Sequence, residues 1–113
     1  MKIERGDIIL ADLDPSRGHE IQKTRPVIVV TNNLANMHSQ LVTVVPVTSK
    51  KLDRVLRFEL LLGKVKGLGR PSKALVQQLR TIDKNRLVSK LGALSDDAMT
   101  ELDERLKIHL GLS

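Results

Sequence analysis

The chain has no cysteine, tryptophan or tyrosine, and Phe58 is its one aromatic residue. Without cysteine, disulfides, iron–sulfur clusters and cysteine zinc sites are excluded. With a single Phe and no Trp or Tyr, any function that needs a platform of aromatic rings for stacking is disfavoured. Long apolar runs are missing as well: the longest are four or five residues, so no membrane-spanning helix is expected. The first residues, Met1-Lys2-Ile3-Glu4-Arg5-Gly6-Asp7, hold no apolar stretch of the kind a secretion signal needs. A cytoplasmic protein is therefore expected. There are no repeats and no low-complexity segment. His19, His38 and His109 lie far apart without a His-x-x-x-His pairing, and no Gly-x-Ser-x-Gly elbow is present. The sequence thus calls for no metal and no cofactor, and His109 reads as a surface residue.

What is present is an ordinary folding composition. The chain has 113 residues, 41% of them hydrophobic and 28% charged, which suits one domain over residues 1–113. Its net charge is +6. Residues 1–49 and residues 74–113 are each balanced, so the whole excess lies in residues 50–73. There Lys50, Lys51, Arg54, Arg57, Lys64, Lys66, Arg70 and Lys73 stand against Asp53 and Glu59. A concentrated basic stretch suits a polyanion or an acidic protein segment; a solvated loop is the plainer alternative.

The apolar pattern predicts short strands. Asp7–Leu13 is the first. Asp14-Pro15-Ser16-Arg17-Gly18 is dense in turn formers, and a polar loop runs on to Arg25. Pro26 opens a β-branched run, Val27–Thr31, that reads as buried on both faces. Asn32 and Asn33 suit a cap or turn, with one helical turn over Leu34–His38. Leu41–Val47 is the third strand and Val55–Leu61 a weaker one. Gly63, Gly67, Gly69 and Pro71 read as a flexible hairpin or hinge. Ala74–Leu79 and Leu87–Leu91 are further short strands, separated by a turn that Arg80 and Asp83 are expected to fix. Ser95 caps a C-terminal helix, with Asp96 and Asp97 in its first turn and Leu94 and Met99 spaced as a hydrophobic staple. Met99, Leu102, Leu106 and Leu110 give that helix one apolar face. Five or six strands with connections too short for crossover helices predict a mainly β chain, a small antiparallel barrel with a C-terminal helix.

Polar residues at the ends of apolar strands form the sharpest chemical cluster. Arg25 stands directly before the second strand, Thr48 and Ser49 directly after the third. If those strands pair antiparallel, Arg25 and Thr48 meet on one rim, near a loop carrying His19 and Glu20. A guanidinium fork, a hydroxyl and a proton acceptor suit a phosphodiester. RNA brings its own nucleophile, the 2′-OH, so the protein need only take a proton, stabilise charge and protonate the leaving oxygen. Capping of a carbonyl by Arg25 and closure of a turn by Thr48 are the structural alternatives.

Several stretches carry a family resemblance. They are Arg5-Gly6-Asp7-Ile8 leading to Ala11-Asp12-Leu13-Asp14-Pro15, then Gly18-His19-Glu20, Thr24-Arg25-Pro26-Val27-Ile28-Val29-Val30, Val45-Pro46-Val47-Thr48-Ser49 and Gln78-Leu79-Arg80-Thr81-Ile82-Asp83. In this order they resemble the MazF/PemK toxins, ribosome-independent mRNA endoribonucleases (mRNA interferases) of toxin–antitoxin systems. The resemblance implies an SH3-like barrel of the CcdB/PemK plasmid-maintenance type and a homodimer. It also implies a MazE-like antitoxin with an acidic disordered tail, and metal-independent cleavage of single-stranded RNA to a 2′,3′-cyclic phosphate and a 5′-hydroxyl. The family's catalytic residues fall on Arg25, Thr48 and Glu20; His19 is a second candidate base. Ser49, Lys50, Lys51, Lys64, Lys66, Arg70 and Gln78 are expected to contact RNA. A plasmid-borne branch carries an Arg and an Asp where this chain has Leu75 and Gln77, so that branch's mechanism is not implied. Two other readings compete. One is a non-catalytic poison of a protein target such as gyrase; the other is a plain RNA-binding module.

Overall fold

Strands that are apolar on both faces set the architecture. In the computed structural model, which describes residues 1–15 and 17–112, β1 (Asp7–Asp12), β2 (Thr24–Val29) and β3 (Leu41–Thr48) lie side by side and antiparallel. Along each, alternate residues enter different cores. Ile8, Ile28, Val45 and Val47 join one cluster, with Leu60, Ala74, Val76 and Leu102. Ile9, Ala11, Val27, Val29, Val42 and Val44 join the other, with Leu13 and Ile82. Two buried faces explain why these segments read as continuous apolar runs. They also lock the register, because a one-residue slip would exchange the two faces.

Four more strands complete the sheet: β4 (Glu59–Gly63), β5 (Ser72–Leu75), β6 (Arg80–Asp83) and β7 (Leu87–Ala93). The order is β4-β5-β3-β2-β1-β7, with β6 also paired to β3, all antiparallel. The expected small barrel is thus a mainly antiparallel β fold with helices, left open between its outer strands. Helix α1 (Asn33–His38) is capped by the Asn32 side chain on Ala35 N–H. Helix α2 (Asp96–Leu110) starts at Ser95, whose hydroxyl accepts from Ala98 N–H, and stops at Gly111 in the left-handed region. Leu94 and Met99 pack into the same cluster, as a staple requires, and Leu102 is fully buried beneath α2. Arg5 ties this helix down, giving Nε to Val30 O at 2.8 Å and Nη2 to Asp103 at 2.5 Å. No described helix is long and apolar enough to cross a membrane.

The sequence expectations shift in four places. Strand β2 begins at Thr24, before Pro26. The proline is tolerated because the ladder to β3 starts only at Val27. The weaker strand predicted over Val55–Leu61 moves to Glu59–Gly63. The strand predicted over Ala74–Leu79 ends at Leu75 and gives way to a 3₁₀ turn, Val76–Gln78. Arg80 and Asp83 begin and end a strand of their own, β6, which the apolar pattern does not predict. Asp83 does fix the 3₁₀ turn that follows, accepting from Asn85 N–H at 2.9 Å, while Arg80 reaches back to Leu13 O at 3.2 Å. Ser16, in the predicted turn after β1, lies outside the described residues.

The glycine-rich segment is pinned rather than hinge-like. Gly67 has φ +97° and lies so close to β7 that a Cβ there would sit 2.2 Å from Leu91 O. Gly92 faces it, with Lys66 O at 2.8 Å from where a Cβ would be. Two bare backbones in contact hold the 64–71 loop against β7.

A second device is polar. The Lys73 ammonium and the Glu59 carboxylate, both buried, meet at 2.9 Å between β5 and β4. Burial pushes the Glu59 carboxyl up. The Leu56 N–H, the Lys73 ammonium and the Gln77 amide outweigh burial and hold it below the ordinary carboxylate range.

Two expected outcomes follow from these contacts. Gly67→Ala should lose about 2 kcal/mol in urea unfolding, from backbone strain and the clash with Leu91 O. Gly69→Ala, where a Cβ meets nothing, should cost little. The second concerns pH. A carboxyl whose pKa is depressed by folding adds stability above its unfolded pKa, and that stability is lost as pH falls through the folded value. Asp83 acts with the same sign, because the Asn85 N–H and the Gln40 amide lower its pKa. The urea midpoint should therefore hold from neutral pH down to the ordinary carboxylate range and fall below it. Glu59→Gln should start from a lower plateau and show a shallower acid limb.

Candidate RNA-cleavage site

Arg25 and Thr48 are continuations of the core strands. The β2–β3 ladder pairs Val29 with Val44, Ile28 with Val45 and Val27 with Pro46. Continuing that register by two residues sets Arg25 across from Thr48, at the rim where the apolar pattern ends. Thr48 is the last residue of β3 and is buried. Its Oγ1 accepts from Lys50 N–H at 3.2 Å, which leaves the hydroxyl hydrogen to donate elsewhere. Arg25 is half-buried, and its Nε donates to Gln22 O at 2.7 Å. Among the described residues nothing takes its Nη groups. One edge of the guanidinium is thus braced and the other uncommitted.

Two cavities share this pair as a common wall. The first, about 470 Å³, runs from Arg25, Thr48 and Ser49 to Leu68, Arg70 and Leu91. The second, about 290 Å³, adds His19, Lys50, Lys51, Lys73, Gln77 and Gln78 to Arg25 and Thr48. An elongated polyanion crossing from one to the other would pass over Arg25 and Thr48. The cations along this path are Arg70, Arg25, Lys50 and Lys51. The facing carboxylate, Glu59, is already neutralised by Lys73.

The two candidate bases differ in reach. His19 lines the cavity that holds Arg25 and Thr48 and also a neighbouring one with Gln77, Gln78, Leu79 and Arg80. Glu20 lines only the neighbouring cavity. Its Oε1 accepts from Arg17 N–H at 2.5 Å and closes its own turn. The loop bearing both residues is tethered by Gln78, which accepts from Ile21 N–H at 2.6 Å and donates to His19 O at 3.4 Å. Gln78 therefore holds the loop as well as lining the cavity.

The predicted RNA contacts divide likewise. Ser49, Lys50, Lys51, Arg70 and Gln78 line the two cavities. Lys64 and Lys66 line a separate depression outside the loop, which also touches Arg70. Lys73 and Gln77 were missing from the expected site. The one signal for Lys73 was a charged residue interrupting the run Ser72–Val76; its carboxylate partner stands on another strand. Among the described residues, no group of three or more His, Asp or Glu side chains is placed to hold a metal ion.

Comparison with known proteins places this geometry in a family. Residues 4–110 match the model of the PemK-like, MazF-like toxins of type II toxin–antitoxin systems. The chain is 40% identical over 116 aligned positions to the endoribonuclease MazF9 of Mycobacterium tuberculosis, covering 97% of this chain and 98% of that one. It is similar to the M. tuberculosis toxin MazF-mt6 at a TM-score of 0.80 and 29% identity, over 95% of this chain and 98% of the other. It is also similar to a MazE–MazF structure from Deinococcus radiodurans at a TM-score of 0.79 and 25% identity, over 100% and 99% of the two chains. The chain belongs to the PemK-like, MazF-like toxins of type II toxin–antitoxin systems.

Proposed function

We propose that this chain is a toxin that cuts single-stranded RNA by attack of a ribose 2′-OH on the adjacent phosphodiester. The observation that carries this is the pairing of Arg25 and Thr48 at the meeting of the two cavities. A 40% identical relative is named an endoribonuclease, which supports the same reaction class. The RNA substrate sets its place of action in the cytoplasm. Its partner is an antitoxin, as in the MazE–MazF relative, and the family resemblance implies action as a homodimer.

In the proposed step, the 2′-oxygen forms a bond to phosphorus while the bond to the 5′-oxygen breaks. The products are a 2′,3′-cyclic phosphate and a 5′-hydroxyl. The Arg25 fork neutralises charge that builds on the non-bridging oxygens. Thr48 donates its free hydroxyl hydrogen to the same phosphate. His19 takes the 2′-OH proton, because it shares the cavity while Glu20 is occupied in its own turn, and water gives a proton to the departing 5′-oxygen. Arg70 on one side and Lys50 and Lys51 on the other bind the flanking phosphates.

The test is incubation of the purified chain with long single-stranded RNA in EDTA, with the cut ends mapped. Cleavage to cyclic-phosphate ends is expected. Arg25→Ala and Thr48→Ala should each slow it on the order of 10²–10³-fold with the fold intact. Arg25→Lys should rescue poorly, since it lacks the planar fork. His19→Asn should cost more than Glu20→Gln. Full activity of Arg25→Ala overturns the site. RNA that is bound in a salt-dependent way but stays intact would indicate an RNA-binding module.

A further inference from the structure

Lys73 is a buried lysine beside the cleft, yet none of its donors is free. Its Nζ gives one hydrogen bond to Glu59 Oε1 at 2.9 Å, one to Lys51 O at 2.9 Å and one to Arg54 O at 2.7 Å. An ammonium has three hydrogens, so it has none left for a phosphate. Glu59 is committed in the same way. Its Oε1 also accepts from Leu56 N–H at 2.9 Å, and its Oε2 accepts from the Gln77 amide at 3.0 Å. Two side chains on β4 and β5 thus grip three backbone groups of one segment, at Lys51, Arg54 and Leu56.

That segment, residues 50–58, carries the exposed cations Lys50, Lys51, Arg54 and Arg57. Most of it lies outside regular structure. Among the described residues its other ties are few: Lys50 N–H on Thr48 Oγ1, local bonds from Arg54 N–H to Lys51 O and from Glu59 N–H to Leu56 O, and Arg105 on Arg57 O. The grip is also placed at the site, because the β3–β5 register sets Lys73 across from Thr48. Lys50 and Lys51 line the cavity shared with Arg25 and Thr48.

We propose that Lys73 and Glu59 are positioning residues for RNA binding: buried under the cleft, they hold the 50–58 segment in place as its cationic wall. This rests on the reading of the chain as a ribonuclease. Neither residue touches the reacting phosphate. Their contribution is to fix Lys50 and Lys51 where the flanking phosphates pass, so that less ordering remains to be done when RNA binds.

The test replaces the pair with apolar residues of similar volume, Lys73→Met with Glu59→Leu. Such a swap of a buried ion pair is often neutral or stabilising to the fold, whereas removing one partner is not. Two readouts are taken on the full chain. The first is trypsin cleavage within residues 50–57, which is independent of activity. The second is RNA affinity, measured with an uncleavable 2′-deoxy-substituted oligonucleotide, alongside KM and kcat on the cleavable one. The double variant should keep its melting transition while its nicking and its KM each rise about tenfold, with kcat within about threefold, the signature of lost uniform binding. A double variant that keeps the wild-type resistance to nicking overturns the grip. Faster nicking with unchanged affinity and KM overturns its role in RNA binding. If the wild-type chain binds the oligonucleotide but never cuts RNA, the ribonuclease reading fails and the affinity arm still decides the inference. A wild-type chain that binds no RNA overturns both. Should the double variant not fold, Glu59→Gln keeps the volume and an acceptor for the lysine. It should move both readouts the same way to a smaller degree, and a folded Glu59→Gln that moves neither overturns the proposal.

Discussion

The pairing of β2 with β3 is the constraint on which the rest depends. Val27, Ile28 and Val29 lie against Val44, Val45 and Pro46, and both faces of the pair are buried. A strand buried on two sides cannot slide by one residue without moving its apolar set to the wrong core. The register is therefore set by the most apolar part of the molecule. Arg25 and Thr48 are where that register runs out into polar chain. Their juxtaposition needs no loop to be correctly folded, which suits a site whose geometry must be held closely.

Around that fixed pair the cleft is built from irregular segments, tied to the sheet by side chains bonded to backbone and, in one case, by a close backbone contact. Gln78 holds the loop at His19 and Ile21. Arg80 and Arg86 hold its start, through Leu13 O and Asp12 O. Lys73 and Glu59 hold the 50–58 segment, and the Gly67–Gly92 backbone contact holds the 64–71 loop. These anchors stand on β4, β5, β6, β7 and the 3₁₀ turns beside them. The outer strands thus contribute little to the chemistry directly and much to the shape of the groove.

The division between what the sequence reveals and what it conceals follows the range of the interactions. The three apolar strands, the Ser95 cap, the Leu94–Met99 staple and the opposition of Arg25 to Thr48 depend on local pattern and one antiparallel pairing, so they are legible. Strand β6 is four residues, half exposed, and strand-like only because β3 lies beside it. The start of β4 depends on Glu59 being buried, which depends on Lys73 reaching it from the next strand. The pinning of Gly67 requires Gly92, far along the chain. That His19 and not Glu20 lines the cavity of Arg25 and Thr48 depends on how one turn closes on Arg17. None of these has a periodicity to read, because each is a contact between segments that are remote in sequence or a choice among near-equal loop conformations.

The shortage of aromatic rings bears on how such a cleft holds its ligand. Phe58 is the only Phe, Tyr or Trp, and it does not line either cavity. Among the described residues the His19 imidazole is the one aromatic side-chain ring lining the two cavities, so recognition falls mostly to guanidinium planes, hydrogen bonds and charge. The cations along the path are not neutralised internally, since the carboxylate among them is already paired with Lys73. An empty cleft of this kind carries a positive field. Any acidic segment able to lie along it would relieve the same field as RNA does. On the ribonuclease reading, an acidic partner lying there would compete with RNA for the same groove. Because each exposed ion pair contributes only about 0–1 kcal/mol, such a partner must also bury apolar surface to hold on.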